Sequence, residues 1–192
     1  MSKLPTAVLI SGSGSNLQAL IDAAAAADYP AEITLVISNI PDAYGLWRAR
    51  DAGIDTQVIA HQDFPDRERF DAAVHDALVA HGIELVCLAG FMRILSESFT
   101  KKWEGRMLNI HPSLLPKYKG LQTHQRAIES GDAEAGATVH WVTAELDSGA
   151  IIAQARVPVL PDDTAETLAE RVLKQEHQLY PAVLKQVAAG LR

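Results

Sequence analysis

The strongest constraint on the fold is an alternation. Apolar runs at about residues 7–11, 33–38, 56–60 and 85–89 are separated by helix-like stretches at about 16–27, 44–52 and 66–81. In the last of these, Phe70, Ala73, Val74, Ala77 and Leu78 recur at the spacing of one helix face. Residues 85–89 are continuously apolar, as a strand buried on both faces must be. This βαβαβαβ order dictates a parallel sheet with helices on both faces and right-handed crossovers. The expected class is α/β, a Rossmann-like, mostly parallel sheet.

After Gly90 the rhythm weakens. A short helix near 96–103 precedes a strand at 107–110, the loop HPSLLPKYKG and a helix near 123–130. Two strands follow, 137–142 and 151–157, joined through TAELDSG. A long helix closes the chain at about 164–189, with Asp163 and Glu166 as a capping box and Pro181 as an expected kink or break. The 192 residues show no internal repeat and no linker, so one domain is expected.

Charge narrows the function classes. A net charge of −7 is a poor starting point for a nucleic-acid or membrane-surface binder. Lys101, Lys102, Arg106, Lys117 and Lys119 nonetheless fall close together, as a solvated basic surface or a pocket for a small anion. No apolar run approaches the roughly 18 residues that span a bilayer. The start MSKLPTAVLIS enters a strand-like run by Ala7, so no signal peptide is expected. The single cysteine, Cys87, forbids an internal disulfide, and the cytoplasm is the default compartment. Cys87 lies inside an apolar strand, where a thiol is inert. The seven histidines form no metal-binding pair at H-x-H or H-x-x-x-H spacing, so no metal is expected.

Two constellations carry chemistry. The first is Gly12-Ser13-Gly14-Ser15-Asn16, between a strand and a helix. Glycines there allow a sharp turn, and free N–H groups at the helix start attract an anion. Ser15 and Gln18 are placed to cap the helix. A dinucleotide fingerprint would need glycine where Leu17 stands and an acid where the second strand ends in Ser38-Asn39. A single phosphate, as on a phosphoribosyl compound, fits better than NAD. The second is Asn109-Ile110-His111-Pro112, ending a strand. Alternation points Asn109 and His111 the same way, at the strand end where open α/β sheets bind ligands. An amide donor beside an imidazole suits a developing oxyanion and a proton transfer. Asp147, in the loop ELDSG, is either a turn residue or the partner of His111.

The runs VLISGSGSNLQALID, LAGFMRIL, LNIHPSLLPKYKG, VHWVTAELDSG and QEHQLYP together span residues 8–181. In them the chain resembles the phosphoribosylglycinamide formyltransferases, the folate-dependent enzymes of de novo purine synthesis. NIHPSLLP is shared by formyl-folate transferases generally, whereas GSGSN together with QEH is more specific to the glycinamide enzymes. The resemblance implies formyl transfer from 10-formyltetrahydrofolate, a co-substrate, to the amine of 5-phosphoribosylglycinamide on the way to IMP. It implies Gly14, Ser15 and Asn16 on the substrate phosphate, and Glu176 on the ribose or amine end. It places Arg67, Met92, Arg93, Ile94 and Leu95 on the folate, with the loop Thr143, Ala144, Glu145, Leu146 and Asp147 closing over the pterin. Asn109, His111 and Asp147 become the catalytic group, with Asn109 also touching the folate. About 1–100 would form a phosphate-binding half and about 101–192 a folate and catalytic half. The implied partners are small molecules, without nucleic acid, membrane or metal, in a monomer or homodimer.

Three features depart from the family pattern. Gln122 stands where histidine is frequent, Lys119 where a small residue or proline is common, and the chain stops at Arg192 where relatives often continue. Formyltetrahydrofolate deformylase shares the catalytic triple but usually adds an N-terminal regulatory domain. Methionyl-tRNA formyltransferase adds a C-terminal tRNA-binding domain. A non-catalytic phosphoribosyl-binding module would not need Asn109, His111 and Asp147 together.

Overall fold

The computed structural model describes residues 2–191. The first strand, β1 (Leu4–Ile10), shows how one sequence serves two cores. Ala7 and Leu9 enter one apolar cluster, and Val8 and Ile10 enter the other. Side chains of a strand alternate, so a strand apolar at every position must be covered on both faces. One cover is α1 (Ser15–Ala24), through Leu17 and Leu20, with α6 (Ala165–Gly190), through Val172, Tyr180 and Leu184. The other is α3 (Arg67–Ala80), through Phe70, Val74 and Leu78, with α4 (Glu97–Lys102) and its flanking Trp103. Each such side chain, fully buried, contributes about 1.5–3 kcal/mol.

The remaining elements are β2 (Ala31–Ser38), α2 (Tyr44–Asp51), β3 (Asp55–Val58), β4 (Leu85–Leu88), β5 (Met107–His111), α5 (Thr123–Glu129), β6 (Glu134–Trp141) and β7 (Ile151–Pro158). The strands form one sheet in the order β3-β2-β1-β4-β5-β6-β7. Pairing is parallel from β3 to β5 and antiparallel for β5–β6 and β6–β7. The mostly parallel sheet is thus as expected, with two antiparallel strands added at one edge. The order reverses between β1 and β4, which lie side by side. A crevice opens beyond the strand ends at such a reversal. Both GSGSN, after β1, and GFMRIL, after β4, start there.

Several local expectations are corrected. Ser15 is the first helical residue and forms no side-chain cap. Gly14 caps α1 instead, at φ +70°. A Cβ at Gly14 would also lie 2.6 Å from Gly45 Cα, so glycine is demanded by fold and turn alike. The capping box of α6 is Thr164 with Thr167, not Asp163 with Glu166. Asp163 instead takes Arg171 in two contacts of 2.7 and 2.8 Å, which holds its carboxyl well below the usual range. The helix α6 neither breaks nor ends at Pro181. Buried Tyr180, Val183 and Leu184 pack around that position, and Tyr29 donates its hydroxyl to the Pro181 carbonyl at 2.7 Å. Packing outweighs one missing N–H. Among the described residues no helix is long and apolar enough to cross a membrane.

Candidate active site

Asn109 and His111 leave the sheet at the end of β5, on one side of the strand as alternation requires. The antiparallel register sets His140 of β6 opposite Asn109, and Thr138 opposite His111. Asp147 reaches the same place from the loop between β6 and β7, at φ +49°. Two residues on, a Cβ at Gly149 would sit 1.7 Å from the Trp141 carbonyl oxygen, so the loop can close this tightly only on glycine.

The side chains meet. His111 Nδ1 lies 3.5 Å from Asp147 Oδ2, both side chains being buried. His111 Nε2 donates to the Tyr118 carbonyl at 2.9 Å. Both ring nitrogens therefore face oxygens, Nε2 at hydrogen-bond distance and Nδ1 at a longer contact. Asp147 Oδ2 also accepts the Gly120 N–H at 2.9 Å, which fixes the carboxylate. Asn109 Nδ2 stands 3.2 Å from His140 Nε2, while His140 Nδ1 stands 2.9 Å from the Trp141 carbonyl. A carbonyl can only accept, so His140 carries its proton on Nδ1 and accepts from Asn109 at Nε2. Burial, its largest influence, moves the His140 pKa below the ordinary value and keeps the ring neutral. Asn109 keeps one amide N–H free.

A second cluster joins this one. Asn16, from the turn after β1, donates Nδ2 to Glu176 Oε2 at 2.7 Å. Glu176 is buried, which raises its carboxyl pKa, while Asn16 and the nearby His111 pull it down. Tyr180, one helical turn from Glu176, holds α6 in place. Its hydroxyl lies 2.9 Å from the Leu88 carbonyl and 3.2 Å from that of Leu108. The phosphate-type turn, the QEH helix and the end of β5 therefore converge. Arg48 reinforces the turn by donating Nε to the Ser13 carbonyl at 2.8 Å.

Comparison with known proteins gives this arrangement a family. A model of the formyl transferase family matches residues 4–184. The chain belongs to the formyl transferase family. It is 51% identical over 184 residues to phosphoribosylglycinamide formyltransferase of Haemophilus influenzae, covering 96% of this chain and 87% of that one. It is 53% identical over 186 residues to the trifunctional purine biosynthetic protein adenosine-3 of Drosophila melanogaster, covering 96% of this chain. The chain spans 14% of the length of that trifunctional relative. The crystal structure of phosphoribosylglycinamide formyltransferase from Brucella melitensis superposes with a TM-score of 0.94 at 53% identity, over 98% of this chain and 97% of that one.

The residues expected on the folate side, apart from Asn109, come from three segments of the chain. Met92 and Ile94 are exposed, Leu95 is buried, and the Arg93 guanidinium sits 5.8 Å from the Phe70 ring centre with its Nε unpartnered. Arg67 is exposed at the start of α3. Thr143, Ala144, Glu145 and Leu146 are all exposed, and Lys119 bonds to Ser148 and pairs with Glu145 at 3.4 Å. Several basic residues of the 101–119 stretch already have partners. Lys101 pairs with Glu97 and Lys117 with Asp132, while Arg106 stacks on Trp103. Gln122 is exposed at φ +57° and gives α5 no side-chain cap. A cavity of about 410 Å³, lined in part by Leu114, Pro116, Lys117 and Arg156, contains none of the expected site residues. Its charges are already paired, Lys117 with Asp132 and Arg156 with Glu134, so it offers a ligand no free ion.

Sequence reasoning missed His140. The signal was present in VHWV, but only the β5–β6 register shows that this histidine faces Asn109. It also missed His124, whose buried Nδ1 lacks a partner and whose pKa is lowered by burial and then by His111.

Proposed function

We propose that this formyltransferase moves the formyl group of 10-formyltetrahydrofolate to the amine of 5-phosphoribosylglycinamide, in purine biosynthesis, by direct attack. The observation that carries the reading is the convergence of two clusters, Asn109–His111–Asp147 and Asn16–Glu176, beyond the ends of β1 and β5. The first suits an acyl-type transfer and the second an amine substrate with a phosphate. Relatives named for this reaction, about half identical over nearly the whole chain, support it. The proposed compartment is the cytoplasm.

The roles follow from the geometry. N–H groups of Gly14, Ser15 and Asn16, unused by the helix, hold the phosphate. Glu176 holds the ribose or amine end. Exposed Met92 and Ile94, with Arg93 between them in sequence and Arg67 at the start of α3, offer apolar surface and two cations, which fits an aromatic folate with an anionic tail. In this reading the loop Thr143 to Asp147 closes over the pterin.

The amine then attacks the formyl carbon, and the new C–N bond pushes an electron pair onto oxygen. The free N–H of Asn109 and the Nδ1–H of His111 meet that charge. His111 Nε2 is held by the Tyr118 carbonyl at 2.9 Å, whereas the 3.5 Å contact of Nδ1 with Asp147 is too long to engage its proton, so Nδ1 is the working nitrogen. As the electron pair returns from oxygen, the bond between the formyl carbon and the folate nitrogen breaks, and that nitrogen takes the proton lost by the amine, passed through water beside Asp147. Two substrates held side by side supply much of the acceleration.

The alternative within the same chemistry is hydrolysis of the folate. Absorbance of 10-formyltetrahydrofolate, followed with and without phosphoribosylglycinamide, separates them. Turnover only with the amine is expected, and equal turnover without it would establish a deformylase.

A further inference from the structure

The segment between β4 and α4 has an unusual support. Among the described residues, no backbone group of 91–95 bonds to another backbone group. Yet this segment displays Met92 at 67% exposure and Ile94 at 55%. Two side chains from other elements hold it. Ser11 Oγ accepts the Met92 N–H at 2.8 Å. Asp71 Oδ2, on α3, accepts the Ser96 N–H at 2.6 Å. Asp71 is only 2% exposed, and its other oxygen has no partner, so a buried carboxylate is kept for this one anchor. Such a group is costly unless its bond matters to the structure or the site.

Ser11 is more than a tether. It follows β1 and directly precedes Gly12 of the phosphate-type turn. Its own hydroxyl donates to Asn39 Oδ1 at 2.5 Å, beyond the end of β2. Asn39 is buried, and its amide meets His61 Nδ1 at 3.2 Å. The hydroxyl is thereby fixed in direction, with its proton on Asn39 and its lone pair on Met92. One side chain ties the turn proposed for the phosphate to the segment proposed for the folate.

We propose that Ser11 and Asp71 are positioning residues, which hold residues 92–96 at both ends and so set where the folate lies relative to the second substrate. This rests on the reading that residues 92–95 bind the folate. Neither side chain touches a reacting atom. Losing either anchor frees the segment, while the phosphate turn keeps its own ties, Arg48 to the Ser13 carbonyl, the Gly45 N–H to the Gly12 carbonyl and Asn16 to Glu176.

The test uses the full chain with four variants: Ser11→Ala, Asp71→Ala, Asp71→Asn and Ile94→Ala. Michaelis constants for both substrates, kcat and melting temperature are measured for each. Ser11→Ala and Asp71→Ala should raise KM for 10-formyltetrahydrofolate about tenfold, the weight of one partly buried hydrogen bond. KM for phosphoribosylglycinamide should stay within about twofold. Asp71→Asn keeps an oxygen for the Ser96 N–H and should restore the folate KM. If Asp71→Ala does not fold, Ser11→Ala decides. Equal rises in both KM values, or an unchanged folate KM in folded Ser11→Ala, would overturn the proposal. An unchanged folate KM in Ile94→Ala would instead overturn the folate reading on which it rests.

Discussion

Asp147→Asn isolates one charge. Asparagine keeps the shape, and its amide oxygen can still accept the Gly120 N–H. What disappears is a carboxylate oxygen 3.5 Å from His111 Nδ1. Two unit charges at that distance interact by about 1 kcal/mol in a water-like medium and about 5 kcal/mol at an effective dielectric near 20. Both side chains are buried, so the effect belongs toward the upper end. Each 1.4 kcal/mol is roughly tenfold in rate, which converts the range to a loss of about tenfold to three-thousandfold. A drop of about 10²–10³ in single-turnover rate is expected, inside the span of positioned acid–base groups. KM for both substrates should change little, because the Asp147 charge matters mainly as the oxyanion forms. The assay is rapid mixing with both substrates saturating. A folded variant within about threefold of wild type would reduce Asp147 to a turn residue.

Other consequences follow from the same geometry. Burial raises the Glu176 carboxyl pKa, so its contribution to stability is fully present below the ordinary glutamate range and is lost as pH rises through the folded value. Glu176→Gln should therefore melt above wild type at pH 8, with the gap closing toward acid pH, while binding phosphoribosylglycinamide more weakly. A gap independent of pH would contradict this. His140→Ala removes the acceptor that orients Asn109 and should lower kcat about tenfold with both KM values within about twofold. An intact kcat would show that Asn109 orients itself. Cys87 is wholly buried, and burial pushes its thiol up to about 12. Native protein should resist a thiol reagent at pH 8 and react only when unfolded, whereas rapid labelling of the folded form would refute that burial.

The sequence was legible where a single element decides. Alternating apolar runs marked β1, β2 and β4, and alternation within β5 put Asn109 and His111 on one side. It was not legible where two elements must be placed together. The reversal between β1 and β4 depends on how α3 crosses the sheet, and no local pattern reports that. The partnership of Asn109 with His140 depends on the register of β5 against β6. The meeting of His111 with Asp147 depends on a loop whose left-handed residue and close glycine show only in three dimensions. Caps failed for a related reason. Asp163 and Glu166 have the right spacing, but Arg171, two turns along the helix, draws Asp163 away. Gly14 likewise reads as a ligand-binding glycine, yet Gly45 alone already requires it.

In the proposed reaction both substrates meet over Asn109, His111 and Asp147, with the phosphate on the turn after β1. A crystal structure with phosphoribosylglycinamide and an unreactive folate analogue tests it most directly. Phosphate oxygens are expected about 3 Å from the N–H groups of Ser15 and Asn16. The amine is expected within about 3–3.5 Å of the carbon that replaces the formyl group, beside Asn109 Nδ2 and His111 Nδ1. A phosphate seated instead in the cavity beside Leu114, Lys117 and Arg156, with the amine remote from His111, would contradict it.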